Sequence, residues 1–536
     1  MVFNTSISKN RPIWYLLSVV FILLVLSIYY IPLVLGDDPG FGFNVWQSMQ
    51  KGSHFNTITV SDSSVISQGK DVFIAWWSPG QYLVPVAISS LLNLTYERSC
   101  LLITILFTIW GLLGWYKIYA TQQYHSTVIV WSLFFILTSR SVTTTQFLNY
   151  TGGEILFFGG APWLILCYLK LRNNPIKLFV GLLVISLVCF VFKTSSSIVL
   201  LSLCAVPFLE YIINCISQKQ LALPSRNIIT VATACCLAFI VYYLLIHKLY
   251  LSKGTNPTSF LGSSFDFNFG IIDLLNLPVH YWLSSLDFFY QISFKGFVSI
   301  DDIYWVRALL NVSVMALIIR LLWSVWKNQT IKPNVALFLA FYIIYTLFMG
   351  YHFSRQAEIS FDVRHFKVLA FLFLPILLQN YFNQKTIFYS LVFILFMTNT
   401  VYSLVIFVVK KKEISNYPIS KDGFALKLTD QSCIDIMSEV DKKPNKNRTI
   451  FIDDSALALN VSNCQKIVAV SPYTFSSRVG TSKLNGYVVS QSDTIFAFIR
   501  TQTQDIPISS LFHNGSILKT TKTSSHFIYE IIGRQP

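Results

Sequence analysis

The chain has 536 residues, of which 54% are hydrophobic, 16% aromatic and only 12% charged. Soluble domains carry roughly 25% charged residues, so the polar surface that several soluble domains need is missing. The long apolar runs indicate a polytopic α-helical membrane protein. The 40 basic and 25 acidic residues give a net charge of +15. Because the sequence has no zinc-finger or P-loop pattern, this charge favours basic cytoplasmic loops and affinity for anionic lipid or phosphate over a nucleic-acid partner.

Twelve apolar segments are candidates for membrane-spanning helices, since a span needs about 20 mostly apolar residues. Lys9 and Arg11 precede the first segment and predict a cytoplasmic N-terminus. No small-residue cleavage site follows that segment, so we expect it to be retained. The candidate segments are residues 13–35, 79–94, 99–119, 126–139, 153–169, 176–196, 197–216, 227–250, 303–326, 334–351, 367–381 and 386–409.

The short basic loops orient the chain, because cytoplasmic loops carry an excess of lysine and arginine. They place the loops 251–302 and 352–366, the C-terminal segment and, counting backwards, residues 140–152 on the outer side of the cytoplasmic membrane. Counting forwards from the cytoplasmic N-terminus places the loop 36–78 there as well. Three apolar segments separate 36–78 from the outer residues 140–152, where an even number is needed. Either the segment 126–139 is a partial span or a neighbouring segment is re-entrant.

The composition becomes polar after residue 409, which predicts a membrane domain over 1–409 and a small extracytoplasmic α/β domain over 410–536. Helical and strand patterns in the second part are residues 430–441 and Arg448–Ile452, Lys466–Val470, Tyr487–Val489, Thr494–Ile499 and Phe527–Ile531. The run Lys410–Lys412 is typical of a cytoplasmic end. Against it, Cys433 and Cys464 lie outside the apolar segments that hold the other seven cysteines, and they are a candidate disulfide.

Asp37 and Asp38 follow the first apolar segment directly, in the stretch Gly36–Gly40. Burial and mutual repulsion raise the pKa of adjacent carboxyl groups, and a carboxylate of this kind suits a general base at the membrane surface. The alternative is a solvated turn that ends the helix, since Asp-Pro-Gly is favoured in turns.

Glu154 stands at the start of a span that is otherwise uncharged. Acids inside membrane spans are costly and are usually functional. Gly152 and Gly153 precede it and allow close approach of a ligand to the backbone. A structural ion pair between Arg140 and Glu154 is the alternative.

The densest basic stretch outside the C-terminal segment runs from His352 to Lys367. Arginine side chains bind phosphate oxygens in a bidentate manner, which indicates a phosphate site. The alternative is that these side chains reach lipid headgroups at the interface. The candidate substrate- or phosphate-binding residues are Arg140, Tyr150, His352, Arg355, Arg364 and His365.

Taken in order, these motifs resemble the GT-C superfamily of membrane glycosyltransferases, including its protein-mannosyltransferase-like and aminoarabinose-transferase-like families. The resemblance covers the membrane part: an acid pair after the first span, a Trp/Pro-Gly start of the next span at 76–80, and Ser139-Arg140 with an acid before a later span. Basic outer loops and a C-terminal domain complete it. The departures are Asp-Asp in place of the frequent Asp-Glu, and Glu154 in place of aspartate.

The resemblance implies a transferase that moves a sugar from a polyprenyl-phosphate or polyprenyl-diphosphate donor to a glycan, lipid or protein acceptor. Asp37 or Asp38 takes the catalytic position and activates the acceptor hydroxyl. Glu154 takes the second acidic position, which orients the acceptor or, with Asp38, helps to hold a divalent Mg²⁺ or Mn²⁺; the departures leave a metal open. Membrane lipids are the other expected partners.

Two other functions fit parts of the sequence. A polymerase or ligase of lipid-linked polysaccharide also combines many spans with basic outer loops, but it does not need the acid pair. A transporter or flippase of lipid-linked sugar tends to have repeated halves and broken helices, and neither is visible here.

Overall fold

The computed structural model describes most of the chain, and those residues form two compact units. A helical unit comprises Met1–Ser27, Thr104–Phe147 and Gly153–Val409, and a mixed unit comprises Ile28–Ile103, Leu148–Gly152 and Lys410–Pro536. The described residues are 3–61, 65–75, 77–218, 223–254, 332–355, 363–384, 387–445, 447–468, 487–501 and 511–534, with the single positions 274, 277, 281, 282, 312, 316, 319 and 320.

Eleven of the twelve predicted apolar segments are helical. The twelfth, 303–326, and most of the predicted outer loop 251–302 lie outside the described residues. The helices are α1 (Phe3–Tyr30), α2 (Asp37–Gln50), α3 (Gly80–Leu92), α4 (Tyr96–Thr121), α5 (Ser126–Thr138), α6 (Gly153–Leu171), α7 (Pro175–Phe192), α8 (Ser196–Gln218), α9 (Arg226–Leu249), α10 (Lys332–Ser354), α11 (Lys367–Gln384), α12 (Ile387–Ile414) and α13 (Gln431–Asp441).

Nine helices among the described residues are long and apolar enough to cross a membrane, which makes this a multi-pass membrane protein. Among the described residues, fewer helices than the predicted twelve are therefore long enough to span the membrane. Both α3 and α5 have only 13 residues, so two short helices, and not one, lie in the region where the parity of the spans failed. At 1.5 Å per residue, neither covers the hydrocarbon core of about 30 Å.

The helical unit is built by pairwise packing of neighbouring helices. In it α6 packs on α7, α9 packs on α7 and α8, α10 packs on α8, and α11 packs on α5. Tyr119 fixes α4 to α11 by donating a hydrogen bond of 2.7 Å to the Phe371 carbonyl. The outward faces keep large apolar side chains exposed, such as Leu244 at 61% and Val408 at 65%, and this fits contact with lipid.

The mixed unit contains a five-stranded sheet in the order β10-β11-β8-β5-β6. Strand β5 pairs in parallel with both β6 and β8, whereas β11 is antiparallel to β8 and β10. Phe451, Ile467 and Ile495 are buried in its core. The strands of this sheet are β5 (Arg448–Ile452), β6 (Gln465–Val468), β8 (Thr494–Arg500), β10 (Gly515–Lys522) and β11 (His526–Gly533).

The mixed unit is larger than the predicted 410–536 domain, because it includes the predicted outer loop 36–78. That loop is ordered where it is described: it holds α2 and an antiparallel hairpin of β2 and β3. Three short parallel or antiparallel pairs complete the unit. Their strands are β1 (Val34–Leu35) with β4 (Asn149–Tyr150), β2 (Thr57–Ser61) with β3 (Gly69–Phe73), and β7 (Tyr487–Val488) with β9 (Phe512–His513).

Candidate functional site

The first candidate acids occupy the first turn of α2, immediately after a short strand. Strand β1 pairs in parallel with β4, and the pairing continues where the Gly36 N–H donates to the Tyr150 carbonyl at 3.1 Å. Helix α2 then begins at Asp37, with Asp38 next. Negative charge is favourable at a helix N-terminus, so local structure accepts both acids at this place.

Tyr150 supports this turn from inside the protein. Its side chain is 1% exposed, and its hydroxyl donates to the Gln81 carbonyl at 2.8 Å. The substrate-binding role of Tyr150 stays a prediction, and the structure shows that its phenol also supports the turn. Gly152 nearby has a φ of +60°, and a Cβ there would lie 2.8 Å from the Gln81 Cβ. This glycine serves a tight backbone conformation and close packing.

Asp37 itself lies at the protein surface, with its carboxyl group near charged groups of the C-terminal segment. Its main-chain carbonyl accepts a hydrogen bond of 2.9 Å from the Ser455 hydroxyl. Desolvation by the surrounding protein raises the pKa of Asp37, the Asp454 carboxylate raises it further, and the Arg500 guanidinium opposes both. A carboxylate with a raised pKa is a stronger base than an ordinary aspartate.

The second candidate acid, Glu154, lies in the first turn of α6 and is surrounded by cations of the helical unit. Its Oε1 pairs with the Lys193 ammonium and lies 3.9 Å from the Arg364 Nε, and its Oε2 lies 3.3 Å from the Lys367 Nζ. Glu154 is 4% exposed and Lys367 only 3%. We call these four residues the Glu154 cluster.

The Glu154 cluster gives this acid cationic partners that the sequence did not predict. Both carboxylate oxygens face cations, and the role of Glu154 in orienting an acceptor stays a prediction. Gly153, predicted to allow approach of a ligand, instead packs on α7, since a Cβ there would lie 2.6 Å from the Phe192 carbonyl.

Sequence reasoning overlooked two members of this cluster. Lys193 was not among the candidate residues, and Lys367 was named only as the end of a basic stretch. The sequence did contain a signal, because Lys193 is the single charged residue between Lys177 and Glu210. A lone charge at the end of an apolar segment needs a buried partner as much as an intramembrane acid does.

The other predicted basic residues also lie in the helical unit. His352 lies in the last turn of α10, is 7% exposed and packs on Phe348 with ring centroids 4.3 Å apart. Arg355 follows that helix, and its N–H donates to the Tyr351 carbonyl at 3.1 Å. Arg140 stands between α5 and the π-helical turn Ser141–Gln146. Next to Arg140, the Ser139 hydroxyl shares a hydrogen bond of 2.7 Å with the Tyr281 hydroxyl.

His365 belongs to the 3₁₀ turn Val363–Phe366, which also presents Arg364 to Glu154. Of the predicted phosphate-binding residues, Arg364 thus joins the Glu154 cluster directly and His365 is its neighbour in the same turn.

The donor set does not fit a metal ion. Among the described residues, no three histidine, cysteine, aspartate or glutamate side chains lie close enough together to hold one. Both oxygens of Glu154, one of the two predicted metal ligands with Asp38, are occupied by cations. The reaction that we propose is therefore written without a metal ion.

The candidate disulfide is not present. Cys433 and Cys464 are free, buried thiols. Cys433 lies on the buried side of α13, and the Cys464 Sγ donates to the Val440 carbonyl at 3.7 Å. The prediction of a bridge is corrected, since each sulfur packs in a separate buried place.

No protein-family model and no curated protein sequence matches this chain. Solved structures do. The crystal structure of ArnT from Cupriavidus metallidurans bound to undecaprenyl phosphate aligns over 96% of this chain and 97% of that chain, with a TM-score of 0.50 and 11% identity. The apo state of the same ArnT aligns over 98% and 100%, at a TM-score of 0.45 and 11% identity.

The arabinofuranosyltransferase AftD from Mycobacteria aligns over 98% of this chain but only 42% of that chain, at a TM-score of 0.46 and 10% identity. The last two scores are too low to support an argument, so the comparison depends on the ArnT complex. ArnT is a GT-C glycosyltransferase, and the alignment spans nearly the full length of both chains. The chain therefore has the fold of the GT-C membrane glycosyltransferases, which is the resemblance that the order of its motifs predicted.

Proposed function

We propose that this protein is an inverting membrane glycosyltransferase. Its donor is a sugar linked to a polyprenyl phosphate or diphosphate, and its acceptor is a hydroxyl group of a glycan, lipid or protein on the outer side of the cytoplasmic membrane. The GT-C fold supports this class of enzyme, and the ArnT structure of the same fold was solved with undecaprenyl phosphate bound.

The observation that carries the proposal is the group of cations in the Glu154 cluster. Lys193, Arg364 and Lys367 gather around the Glu154 carboxylate at the ends of apolar helices. Lysine and arginine side chains bind phosphate oxygens through charge-assisted hydrogen bonds. A phosphate carried on a lipid reaches helix ends from within the membrane.

The proposed reaction is a displacement at the anomeric carbon of the donor sugar. The acceptor oxygen attacks that carbon, the bond from the carbon to the phosphate oxygen breaks, and the anomeric configuration inverts. Asp37 takes the proton of the acceptor hydroxyl as general base. The polyprenyl phosphate departs with the electron pair of the broken bond, and the negative charge stays on its phosphate oxygens.

The choice of Asp37 over Asp38 as the base follows from its surroundings. Asp37 is an exposed residue whose carboxyl group is partly desolvated by the surrounding protein and has a raised pKa, and a base must both reach the substrate and bind a proton well. We expect Asp37→Asn to lower the transfer rate by about 10²- to 10⁴-fold, the usual contribution of a general base. We expect Asp38→Asn to have a smaller effect.

The assay uses membranes that contain this protein and supply acceptor, with synthetic undecaprenyl-phosphate-linked hexoses and pentoses as donors, and it follows release of undecaprenyl phosphate. Asp71→Asn is the matched control, because Asp71 is an exposed acid of the same unit on β3. Full activity of the Asp37→Asn variant would refute the assignment of the base.

A second measurement tests the donor class without knowledge of the sugar. Purified protein in lipid nanodiscs should bind undecaprenyl phosphate saturably, and Lys193→Gln and Arg364→Gln should each weaken binding by about tenfold, the loss of one charge-assisted contact. Lys248→Gln, an exposed lysine at the end of α9, is the control. Absence of binding together with absence of donor cleavage would reject the proposed function.

A further inference from the structure

The sheet of the mixed unit brings charged side chains to one edge. Asp453, Asp454 and Ser455 follow β5 directly, and Arg500 is the last residue of β8. Because β5 and β8 are parallel, their carboxyl ends lie at the same edge, where open α/β sheets place their functional loops.

The loop after β5 is held firmly by hydrogen bonds. The Arg500 N–H donates to the Asp453 Oδ2 at 2.9 Å, and the Arg500 Nη2 donates to the Asp453 carbonyl at 3.0 Å. The Asp454 Oδ1 accepts from the Ala456 and Leu457 N–H groups at 2.9 and 3.1 Å. Both Asp453 and Asp454 are buried, so the loop presents a fixed surface.

That surface contacts the helix that begins with Asp37. Besides the bond from Ser455 to the Asp37 carbonyl, the Asn44 Nδ2 donates to the Ser455 carbonyl at 2.8 Å. A Cβ on Gly40 would lie 2.7 Å from the Ser455 Oγ. The first turn of α2 therefore approaches the loop more closely than a residue with a side chain would permit.

From this geometry we infer that Asp454, Ser455 and Arg500 are positioning residues for Asp37, so that the C-terminal segment completes the proposed catalytic site. Ser455 fixes the main chain of Asp37, and Asp454 and Arg500 set the charge around its carboxyl group. The inference rests on the proposed function, in which Asp37 is the base.

The charges around Asp37 act in opposite directions. Asp38 is the next residue on α2, and Asp454 and Arg500 lie at the sheet edge whose loop binds the Asp37 main chain. Asp453 and His526 face Arg500 in turn, with the His526 Nε2 4.0 Å from the Asp453 Oδ1. The positive charge of Arg500 lowers the pKa of Asp37, and the negative charge of Asp454 raises it.

Because the charges of Arg500 and Asp454 act in opposite directions, their removal should shift the pH profile in opposite directions. A general loss of structure would not have this effect. Asp37 acts as base only when ionised, so the transfer rate rises with pH through its pKa. Arg500→Gln should move this acid limb to higher pH, and Asp454→Asn should move it to lower pH. Each shift should be about 0.5 pH unit, the effect expected for removal of one nearby charge in a watery environment.

The experiment measures pH profiles of donor cleavage for the full-length protein in membranes. Arg534→Gln is the matched control, because Arg534 is an exposed arginine just beyond β11. Ser455→Ala should lower the rate at saturating donor several-fold without raising the donor KM. Arg500→Gln and Asp454→Asn variants that lower the plateau but leave the acid limb in place would overturn the inference.

The Asp37→Asn variant in the same assay separates the two proposals. If Asp37→Asn is fully active, the proposed base is wrong. If it is inactive while the Arg500→Gln and Asp454→Asn profiles coincide with that of the unchanged protein, the inference about the C-terminal segment fails and the proposed function stands.

Discussion

The two acids that the sequence ranked together, Asp37 and Glu154, lie in opposite electrostatic environments. Glu154 is 4% exposed and pairs with three cations through its side chain. Asp37 is exposed, and the protein holds it through its main chain, by the Ser455 hydroxyl and by the strand pairing before it. The first arrangement consumes the carboxylate and the second leaves it free to react.

This contrast explains why position along the chain is a poor guide to the role of an acid. An acid at the start of a span attracts cations because its charge is costly in a region of low dielectric constant. A base must instead keep its lone pairs available. The number of cations at a carboxylate therefore separates a structural acid from a reactive one.

The largest effect on stability is expected from substitution of Glu154. Glu154→Gln leaves three cations without their counter-charge and should lower the free energy of unfolding by about 3–5 kcal/mol, as for other broken buried ion pairs. Thermal unfolding in detergent measures the loss. Undecaprenyl phosphate should raise the unfolding midpoint more in this variant than in the unchanged protein, because the anion replaces the lost charge.

The matched control is Glu210→Gln, which breaks the Arg172–Glu210 pair at 3.0 Å in the same unit. Side chains of that pair are 40% and 25% exposed, so the expected loss is only about 0–1 kcal/mol. Equal losses in the two variants would show that burial of the Glu154 cluster does not matter.

Among the hydrogen bonds of the mixed unit, those of the Lys466 side chain should have the largest effect on stability. Its ammonium group donates to the Asn44 Oδ1 at 2.6 Å, to the Ala458 carbonyl at 2.8 Å and to the Gln47 side chain. Lys466→Met leaves these acceptors unpaired and should cost about 2 kcal/mol. Thermal unfolding midpoints measure it, with Lys519→Gln on the exposed face of β10 as the control.

The cost of Lys466→Met should grow with pH. Burial lowers the pKa of Lys466 to about 7 in the folded protein, and a lysine in the unfolded chain has a pKa of about 10.4. Between these values the unfolded state binds more protons, so the lysine protein gains stability as pH rises. A difference in midpoint that stays constant between pH 7 and pH 9.5 would contradict this.

Much of the helical architecture could be predicted from the sequence, because membrane helices depend on long apolar runs. The strands were also predictable where they alternate or stay apolar: the predicted strand Arg448–Ile452 has the observed bounds of β5. The ordered structure of 36–78 was not predicted. Helix α2 is short and mixed in character, so it depends on tertiary contacts, such as those of Asn44, that leave no periodic signal.

The site was predictable in part for a related physical reason. Asp37, Glu154 and Arg364 carry charges at the ends of apolar segments and stand out in the sequence. Asp454 and Ser455 were overlooked, although acids directly after a buried strand are a known signal of a sheet-edge site. Polar residues are common in a polar segment, so only the parallel pairing of β5 with β8 distinguishes these from the rest.

A smaller effect on stability is expected at Tyr150, whose side chain supports the turn before Asp37. Tyr150→Phe removes the hydrogen bond to the Gln81 carbonyl and should cost about 1 kcal/mol. The rate should fall modestly and the donor KM should stay constant, because the phenol is buried. Tyr529→Phe on β11 is the control. A tenfold rise in KM would support the predicted contact between Tyr150 and the substrate.

The smallest effect is expected at the cysteines. A disulfide between Cys433 and Cys464 would stabilise the mixed unit by about 2–4 kcal/mol, so its reduction would lower the unfolding midpoint. Because both thiols are free and buried, a reducing agent should leave the midpoint unchanged, and alkylation of the unreduced protein in denaturant should modify both residues. Protection of either thiol until reduction would show that a bridge forms. The mixed unit would then be held covalently in part, whereas its apolar core and hydrogen bonds hold it without a covalent link if both thiols react.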